Sequence, residues 1–259
     1  LRLLDARYNK KKMSKTLIII PSRLSASRLP GKPLLKINGI PLILHVVNKA
    51  VSTEIGRVVV ATEDSEIFDV IKKSGNEAVM TGSYHKTGTD RIYEAYKKLK
   101  LDKTKYIINL QGDEPLIDPN DIINLNNLII KNNLDLGTMA IKFKKKIFIE
   151  NENVVKVITN EGLKKNKISI ANNFLRHVYS KNTKNLYQHM GIYQFKVSTL
   201  EKFVKLPQSV NEKKNKLEQL RALDNNININ VALAETNSMG VDTKEDFLAI
   251  KKIMEYNKL

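Results

Sequence analysis

The sequence of 259 residues contains no cysteine and no tryptophan. Without cysteine there are no disulfides and no thiolate ligands for a metal. No apolar run reaches the roughly 20 residues that cross a bilayer, and residues 1–12 lack the apolar core of a signal peptide. Hydrophobic residues (42%) and charged residues (27%) occur in ordinary proportions. These features exclude a disulfide scaffold and predict a cytoplasmic α/β protein with no membrane partner.

Acidic residues are scarce: 27 Asp and Glu stand against 44 Lys and Arg, which gives a formal net charge of +17. One interpretation is a nucleic-acid-binding protein, because clustered cations neutralise phosphates. However, the lysines are scattered along the chain, and no RNA-binding signature accompanies them. A small polyanionic substrate such as a nucleotide suits the charge equally well. We therefore expect no nucleic acid as the main partner, with a basic nucleic-acid binder as the alternative from another class.

The apolar pattern alternates between strands and helices. Short buried strands are predicted at 16–21, 57–62, 77–81 and 106–110, and amphipathic helices at 41–52, 65–74, 90–100 and 119–131. This order favours right-handed crossovers and a mostly parallel sheet. The second half mixes strands (136–143, 154–159, 191–195, 227–234) with helices (211–223, 243–256). Residues 13–259 are interpreted as one domain with an inserted subregion at 140–200, and residues 1–12, before Met13, as an extension.

Three cations follow the first strand: Arg23, Arg28 and Lys32. Their loop holds a single glycine, Gly31, so it is neither a dinucleotide-binding fingerprint nor a Walker A loop. Free backbone N–H groups and three cations can bind a triphosphate. A solvated basic loop is the alternative, but the position at a strand end, where α/β proteins bind ligands, favours the site.

Two further segments follow predicted strands. Small residues around Gly88 let the backbone approach a base or ribose, and Arg91 can reach a phosphate. The same segment is also compatible with an ordinary turn into a helix capped by Thr89 or Asp90. At 109–115, Asp113, or alternatively Glu114, is a suitable oxygen ligand for Mg²⁺, although glycine, aspartate and proline also form plain turns.

The motifs resemble those of the 3-deoxy-manno-octulosonate (Kdo) cytidylyltransferases over almost the whole chain. The matching runs are IIIPSRLSASRLPGKPLLKINGIPLILHVVNKA, HKTGTDR, NLQGDEP, QHMGIY, LEQLRAL and GVDTKED. The resemblance implies a three-layer, nucleotide-diphospho-sugar-transferase-like (Rossmann-like) fold with a mixed, mostly parallel sheet. It also implies a homodimer whose interface involves the 140–200 subregion.

The resemblance also implies the reaction. A hydroxyl of Kdo attacks the α-phosphate of CTP, pyrophosphate leaves, and CMP-Kdo forms for lipopolysaccharide synthesis. The implied catalytic residues are Arg23, Arg28, Lys32, Asp113 and Asp242, with Mg²⁺ on the two aspartates. Ser22, Ser27, Gly88, Thr89 and Arg91 are implied to join Arg23, Lys32 and Asp113 in binding the nucleotide. Gln111, His189, Glu218 and Gln219 are implied to bind the sugar. A structural N-cap start at Thr243 and Asp246 is the alternative interpretation of the segment around Asp242.

One segment departs from the family pattern. Where the family carries Ser-Arg, whose arginine helps to neutralise the sugar carboxylate, this chain has Ala171 and Asn172. Arg176 is a candidate to supply the missing cation. The departure leaves a related acidic sugar, 8-amino-Kdo or a sialic-acid-like substrate, as the alternative to Kdo.

Overall fold

The computed structural model describes residues 15–25, 28–143, 147–178, 183–236 and 239–256. The strands are β1 (Thr16–Ser22), β2 (Lys36–Ile37), β3 (Ile40–Pro41), β4 (Arg57–Thr62), β5 (Glu77–Met80), β6 (Tyr106–Asn109), β7 (Leu136–Ile141), β8 (Lys156–Thr159), β9 (Ile168–Leu175), β10 (Leu186–Lys196) and β11 (Asn230–Leu233). The helices are α1 (Leu42–Ser52), α2 (Ser65–Lys73), α3 (Gly88–Leu99), α4 (Pro119–Lys131), α5 (Ile147–Glu150), α6 (Val197–Phe203), α7 (Val210–Asn215), α8 (Leu220–Asp224) and α9 (Lys244–Tyr256). The predicted extension at 1–12 lies outside the described residues.

The chain divides into two compact units, one of residues 1–122 with 237–259 and the other of residues 123–236. The 140–200 segment that the sequence marks as an inserted subregion lies within the second unit. The prediction of a single domain stays a prediction. Of the helices in the described ranges, none is both long and apolar enough to cross a bilayer.

The first unit contains a parallel sheet in the order β5-β4-β1-β6. β1 is central, and its residues Leu17 to Ile20 are at most 1% exposed. Such continuous apolar runs form strands that are covered on both faces, as in parallel sheets. α1 packs on β1 and β4, and its buried residues recur at helical spacing, beginning with Leu42, Val46 and Ala50. The parallel sheet that the alternating pattern predicts is confirmed here.

The second unit is a mixed sheet in the order β10-β7-β11-β9-β8. β11 runs parallel to β7, whereas β10 and β9 run antiparallel to their neighbours. β8 also pairs antiparallel with the first residues of β10, so it forms hydrogen bonds with both β9 and β10. β9, in the segment that departs from the family pattern, is a strand that the sequence analysis did not predict.

The helix predicted at 211–223 is wrong as a single element. It is two short helices, α7 and α8, separated at Lys216, whose φ is +52°. A residue in this left-handed region ends a helix, because the next N–H turns away from the helical ladder. Leu217 and Leu220 are buried, and Leu223 is half-buried.

Candidate active site

The basic loop begins where β1 ends and returns to the sheet through a tight turn. Gly31 adopts a φ of +71° and donates its N–H to Leu24 O at 3.0 Å. The Leu24 N–H is in turn held by Asp64 Oδ2 at 2.8 Å. A 3₁₀ turn, Lys32–Leu34, follows with Pro33 buried. These contacts explain the lone glycine, since only Gly adopts this φ without strain, and they fix the start of the Lys32 side chain.

Lys32 joins the two aspartates that the sequence analysis assigns to a metal. Its Nζ lies 2.5 Å from Asp113 Oδ2 and 3.6 Å from Asp242 Oδ1. It also donates to Val241 O at 2.7 Å. The Val241 N–H donates to Asp113 O at 2.8 Å, so the segment after β6 and the segment before α9 are also joined through their backbones. Residues 129 positions apart in the sequence thus place their carboxylates around one cation.

Arg28 completes this cluster, because its Nη2 lies 3.1 Å from Asp242 Oδ1. Arg28 and Asp242 are about half exposed (51% and 42%), whereas Lys32 is 13% exposed. The cluster therefore has a partly buried core and a solvent-facing rim.

The two carboxylates fit a magnesium ion. They converge on a positive charge, the Lys32 ammonium, and carboxylate oxygens are the protein ligands that Mg²⁺ prefers. Within the described ranges, no group of three or more His, Cys, Asp and Glu side chains could hold a metal. Mg²⁺ is commonly held by one or two carboxylates together with phosphate oxygens and water, so Asp113 and Asp242 are a sufficient protein contribution.

The N-terminus of α3 is capped by a different residue from the ones that the sequence suggests. The N-cap is Thr87, whose Oγ1 accepts from the Asp90 N–H at 3.1 Å, so the predicted cap at Thr89 or Asp90 is wrong. The choice follows from the backbone, since helical geometry begins at Gly88 and the residue before it caps. Thr89 is instead 2% exposed and accepts from Asn109 Nδ2 at 3.4 Å.

Gly88 and Arg91 are held at the same place. A Cβ on Gly88 would lie 3.3 Å from Pro21 Cγ, so this helix start packs closely against the end of β1. Arg91 is 3% exposed, donates to Thr81 Oγ1 at 2.7 Å, and contacts the Glu63 carboxylate. Its charge is thus compensated before any ligand arrives.

These elements enclose a cavity of about 280 Å³ at the carboxyl ends of β1 and β6. The predicted site residues that line it are Ser22, Arg23, Arg28, Lys32, Gly88, Arg91, Gln111, Asp113 and Asp242. Thr89 is not among the lining residues, and Ser27 lies outside the described residues. Pro21, Pro33 and Gly112 complete the wall with two residues that sequence reasoning missed, His85 and Thr87. Both stand in the HKTGTDR run, which was the available signal.

The other predicted sugar residues lie in the second unit. His189 Nε2 is 2.9 Å from Thr138 Oγ1, and that hydroxyl donates to Ile192 O at 2.7 Å. The threonine therefore accepts from the ring, which places the imidazole hydrogen on Nε2. Burial lowers the pKa of His189 to about 3, so the ring is neutral.

Glu218 and Gln219 lie in the turn before α8. Burial, and then the charge of Glu218, raise the pKa of Tyr193 well above its usual value. The Tyr193 ring is 5.4 Å from the His189 ring. Gln219 is 9% exposed. Within this unit, His189 and Glu218 are thus both neighbours of Tyr193.

Arg176, the candidate for the missing cation, is occupied by backbone carbonyls. Its guanidinium donates to Asn215 O at 3.0 Å, Glu152 O at 3.1 Å and Lys216 O at 3.2 Å. Of the two residues at the departing positions, Ala171 is buried and Asn172 is exposed. Arg176 therefore ties the end of α7 to the chain around Glu152 and has few donors left for a ligand.

A parallel sheet with clustered cations and two carboxylates in a cavity beside its strand ends is the architecture of a nucleotidyltransferase. The chain matches the cytidylyltransferase family over residues 17–229. It is 39% identical to the 3-deoxy-manno-octulosonate cytidylyltransferase of Paramagnetospirillum magneticum over 92% of this chain and 97% of that protein. The enzyme of the same name from Brucella ovis is 41% identical over 90% of this chain and 92% of that protein.

Solved structures agree. CMP:2-keto-3-deoxy-manno-octonic acid synthetase in complex with CTP superposes with a TM-score of 0.84 and 34% identity, covering 94% of this chain and 100% of that one. A 4-diphosphocytidyl-2C-methyl-D-erythritol synthase from Anaerococcus prevotii shares the fold, at a TM-score of 0.64 and 13% identity over 93% of this chain and 99% of that one. The chain belongs to the 3-deoxy-manno-octulosonate cytidylyltransferase family.

Proposed function

We propose that this enzyme transfers CMP from CTP to Kdo and releases pyrophosphate, acting in the cytoplasm to supply CMP-Kdo for lipopolysaccharide synthesis. The observation that carries the proposal is the convergence of Arg28, Lys32, Asp113 and Asp242 in one cavity at the strand ends. The names of the relatives, and the CTP in the complex of the similar structure, support the nucleotide and the sugar.

The cationic residues would position the triphosphate and neutralise its negative charge. Arg23, Arg28 and Lys32 would bind the triphosphate and stabilise the charge that develops on the departing pyrophosphate. Asp113 and Asp242 would hold Mg²⁺, which supplies positive charge at the phosphate oxygens when bound. Because Lys32 already contacts both carboxylates, its ammonium is placed to move onto a phosphate when the metal and nucleotide enter.

The remaining residues would select the substrates. The residues proposed to hold the nucleotide are Ser22, Ser27, Gly88, Thr89 and Arg91. Of these, Thr89 is buried behind the cavity wall and would act through its contact with Asn109. Gln111, His189, Glu218 and Gln219 are proposed to bind the sugar. A neutral His189 with its hydrogen on Nε2 keeps Nδ1 as an acceptor for a sugar hydroxyl. A homodimer formed through residues 140–200 completes the proposal.

The sugar is the part that the chain's own residues define least. Ala171 and Asn172 replace the family's Ser-Arg, and the Arg176 guanidinium donates hydrogen bonds to three backbone carbonyls. A related acidic sugar, 8-amino-Kdo or a sialic-acid-like substrate, is therefore the second candidate. The observation behind this second candidate is the departure of residues 171–172 from the family pattern.

The direct test is pyrophosphate release from CTP and Mg²⁺ with Kdo, 8-amino-Kdo and N-acetylneuraminate in parallel. We expect the highest kcat/KM with Kdo and formation of CMP-Kdo by mass spectrometry. A higher kcat/KM with another sugar would transfer the proposal to that substrate, and no turnover with any of them would refute it.

The metal assignment predicts the behaviour of Asp113→Asn. We expect kcat to fall by about 10²- to 10³-fold, the size of effect of losing one group that stabilises transition-state charge, with an unchanged circular dichroism spectrum. Asp102→Asn, the same chemical change at an exposed position, is the matched control and should keep full activity. Near-normal turnover of Asp113→Asn would contradict the metal assignment.

A further inference from the structure

Glu94, on α3, connects several donors of the segment 82–85 to the helix. Its Oε2 accepts from the Gly82 N–H at 3.0 Å and from the Tyr84 hydroxyl at 3.3 Å, and it also contacts His85 Nε2. Its Oε1 lies 2.7 Å from Lys98 Nζ, one turn further along α3. One carboxylate thus gathers four donors, and the side chain is only 18% exposed.

This carboxylate stays charged at any working pH. Burial acts to raise the pKa of Glu94, but hydrogen bonds from Lys98, Gly82 and His85 outweigh it and lower the pKa to about 2. An ionised carboxylate only accepts hydrogen bonds, so His85 Nε2 carries a hydrogen whether the ring is neutral or protonated. In the part of the chain that the structure describes, Nδ1 has no hydrogen-bond partner.

The ring of His85 is held at the wall of the substrate cavity. The side chain is 8% exposed and lines the cavity that also contains Lys32 and Asp113. The Tyr84 ring lies beside it, with ring centroids 4.5 Å apart and planes inclined by 44°. A ring with one nitrogen fixed by a carboxylate and the other without a partner is the arrangement by which proteins orient a histidine toward a ligand.

We propose that His85 contacts the nucleotide through Nδ1 and that Glu94 is the positioning residue that fixes its ring. The inference rests on the proposed function only for the identity of the ligand, CTP. It adds a nucleotide-contacting histidine and a residue behind it to the groups already assigned to the cavity. The competing explanation is that these contacts have a purely structural role and only hold residues 82–85 against α3.

The variant that separates the two explanations is His85→Gln. Its side-chain amide keeps an N–H donor for Glu94 where Nε2 lies, but it has no equivalent of Nδ1. We expect CTP affinity, measured by isothermal titration, to fall about 5- to 10-fold, the range that follows from losing one hydrogen bond. The unfolding midpoint should stay at the wild-type value. Wild-type CTP affinity in His85→Gln would overturn the proposal.

Glu94 is tested through a double-mutant cycle with Glu94→Gln and His85→Ala. Each single variant should raise Kd and KM for CTP about 5- to 10-fold with kcat within threefold of wild type. The double variant should be no worse than His85→Ala, because Glu94 acts through that ring. Independent effects that multiply in the double variant would overturn the positioning role. If Glu94→Gln fails to fold, His85→Gln still decides whether Nδ1 contacts the nucleotide.

Lys98→Met is the matched control, since it removes another partner of Glu94 that is half exposed. It should leave the affinity for CTP within twofold of wild type. The titrations need no sugar, so the two proposals fail separately. Wild type that binds CTP but activates no sugar would count against the proposed function alone. Unchanged CTP affinity in the His85 variants would count against this inference alone.

Discussion

At the residue scale, His189 shows how neighbouring strands set the protonation of a side chain. It lies on β10 and is held by Thr138 of β7, while Phe174 of β9 packs edge-on at 5.1 Å between ring centroids. The rings of Phe174 and Tyr193 flank the imidazole, and burial disfavours its charged form. The fold therefore keeps the ring neutral, and the folded state loses stability at acid pH, where the unfolded chain can protonate this histidine.

The lowered pKa of His189 gives a prediction for how the stability of the His189→Asn variant depends on pH. The pKa is about 3 in the folded protein and 6.5 in the unfolded chain, so between these values the unfolded chain binds the extra proton. Stability from this group is complete above pH 6.5 and falls as the pH drops. Between pH 7.5 and 5.0 the loss should be about 2 kcal/mol. His189→Asn should abolish this loss in urea unfolding at the two pH values.

The control for this prediction is His177→Asn, because His177 is a histidine of the same unit that is 48% exposed. It should retain the wild-type difference between pH 7.5 and 5.0. Glu94 does not contribute in this window, since its pKa moves from 4.5 down to about 2. An unchanged pH dependence in His189→Asn would show that the ring is hydrated in the folded protein.

The residue scale also separates positions that a motif predicts from positions that depend on a contact. Lys32, Asp113 and Asp242 are predictable because each follows a strand or a glycine turn in a recognisable motif. His85 was missed because its significance depends on Glu94, nine residues away on α3. Thr87 was missed as the N-cap because the run Thr-Gly-Thr offers two equivalent hydroxyls. Only the residue at which helical geometry begins distinguishes them.

At the element scale, the turn that carries Glu218 and Gln219 depends on a buried ion pair. Glu212 of α7 and Arg221 of α8 are 4% and 3% exposed, and Arg221 donates to both carboxylate oxygens at 2.6 and 2.8 Å. Glu212 also forms a capping box with Ser209. The Arg221 guanidinium lies 4.7 Å from the centre of the Phe203 ring. Two helices too short to be stable alone are thus fixed by one pair of charges.

We predict that Glu212→Gln lowers the free energy of unfolding by about 3 kcal/mol, because the buried Arg221 loses its bidentate carboxylate and keeps only the longer ion pair with Glu218 at 3.8 Å. Urea unfolding followed by circular dichroism measures this, since the chain has no tryptophan. Glu255→Gln is the matched control. It breaks a surface pair with Lys251 at 3.8 Å and should change stability by less than about 0.5 kcal/mol. A loss of less than 1 kcal/mol in Glu212→Gln would show that solvent reaches Arg221.

The elements of the first unit are more predictable than those of the second for a physical reason. β1 and β4 are buried on both faces, so their sequences are continuous apolar runs. β9 alternates between buried and exposed residues and includes two asparagines, which are rare in strands. The division of α7 from α8 depends on Lys216, a residue without intrinsic preference for a positive φ. Tertiary contacts such as the Glu212–Arg221 pair decide it.

At the scale of the whole molecule, the charge of +17 is distributed rather than concentrated. Three of the four Lys and Arg side chains that line the cavity are paired with carboxylates: Arg28 with Asp242, Lys32 with Asp113, and Arg91 with Glu63. A polyanion that binds along a surface needs a row of cations without counter-ions. The site instead offers a small, partly open cavity in which paired cations can exchange one anionic partner for another.

This arrangement predicts weak and salt-sensitive binding of RNA. The dissociation constant for a labelled 20-nucleotide RNA at 200 mM salt should lie in the nonspecific range of about 10⁻⁴ to 10⁻⁶ M, and binding should tighten by orders of magnitude at 50 mM. Fluorescence anisotropy measures both. CTP should not compete, because scattered surface lysines rather than the cavity hold the RNA. Nanomolar RNA binding at 200 mM salt that CTP displaces would instead place RNA in the cavity and favour the nucleic-acid-binding alternative.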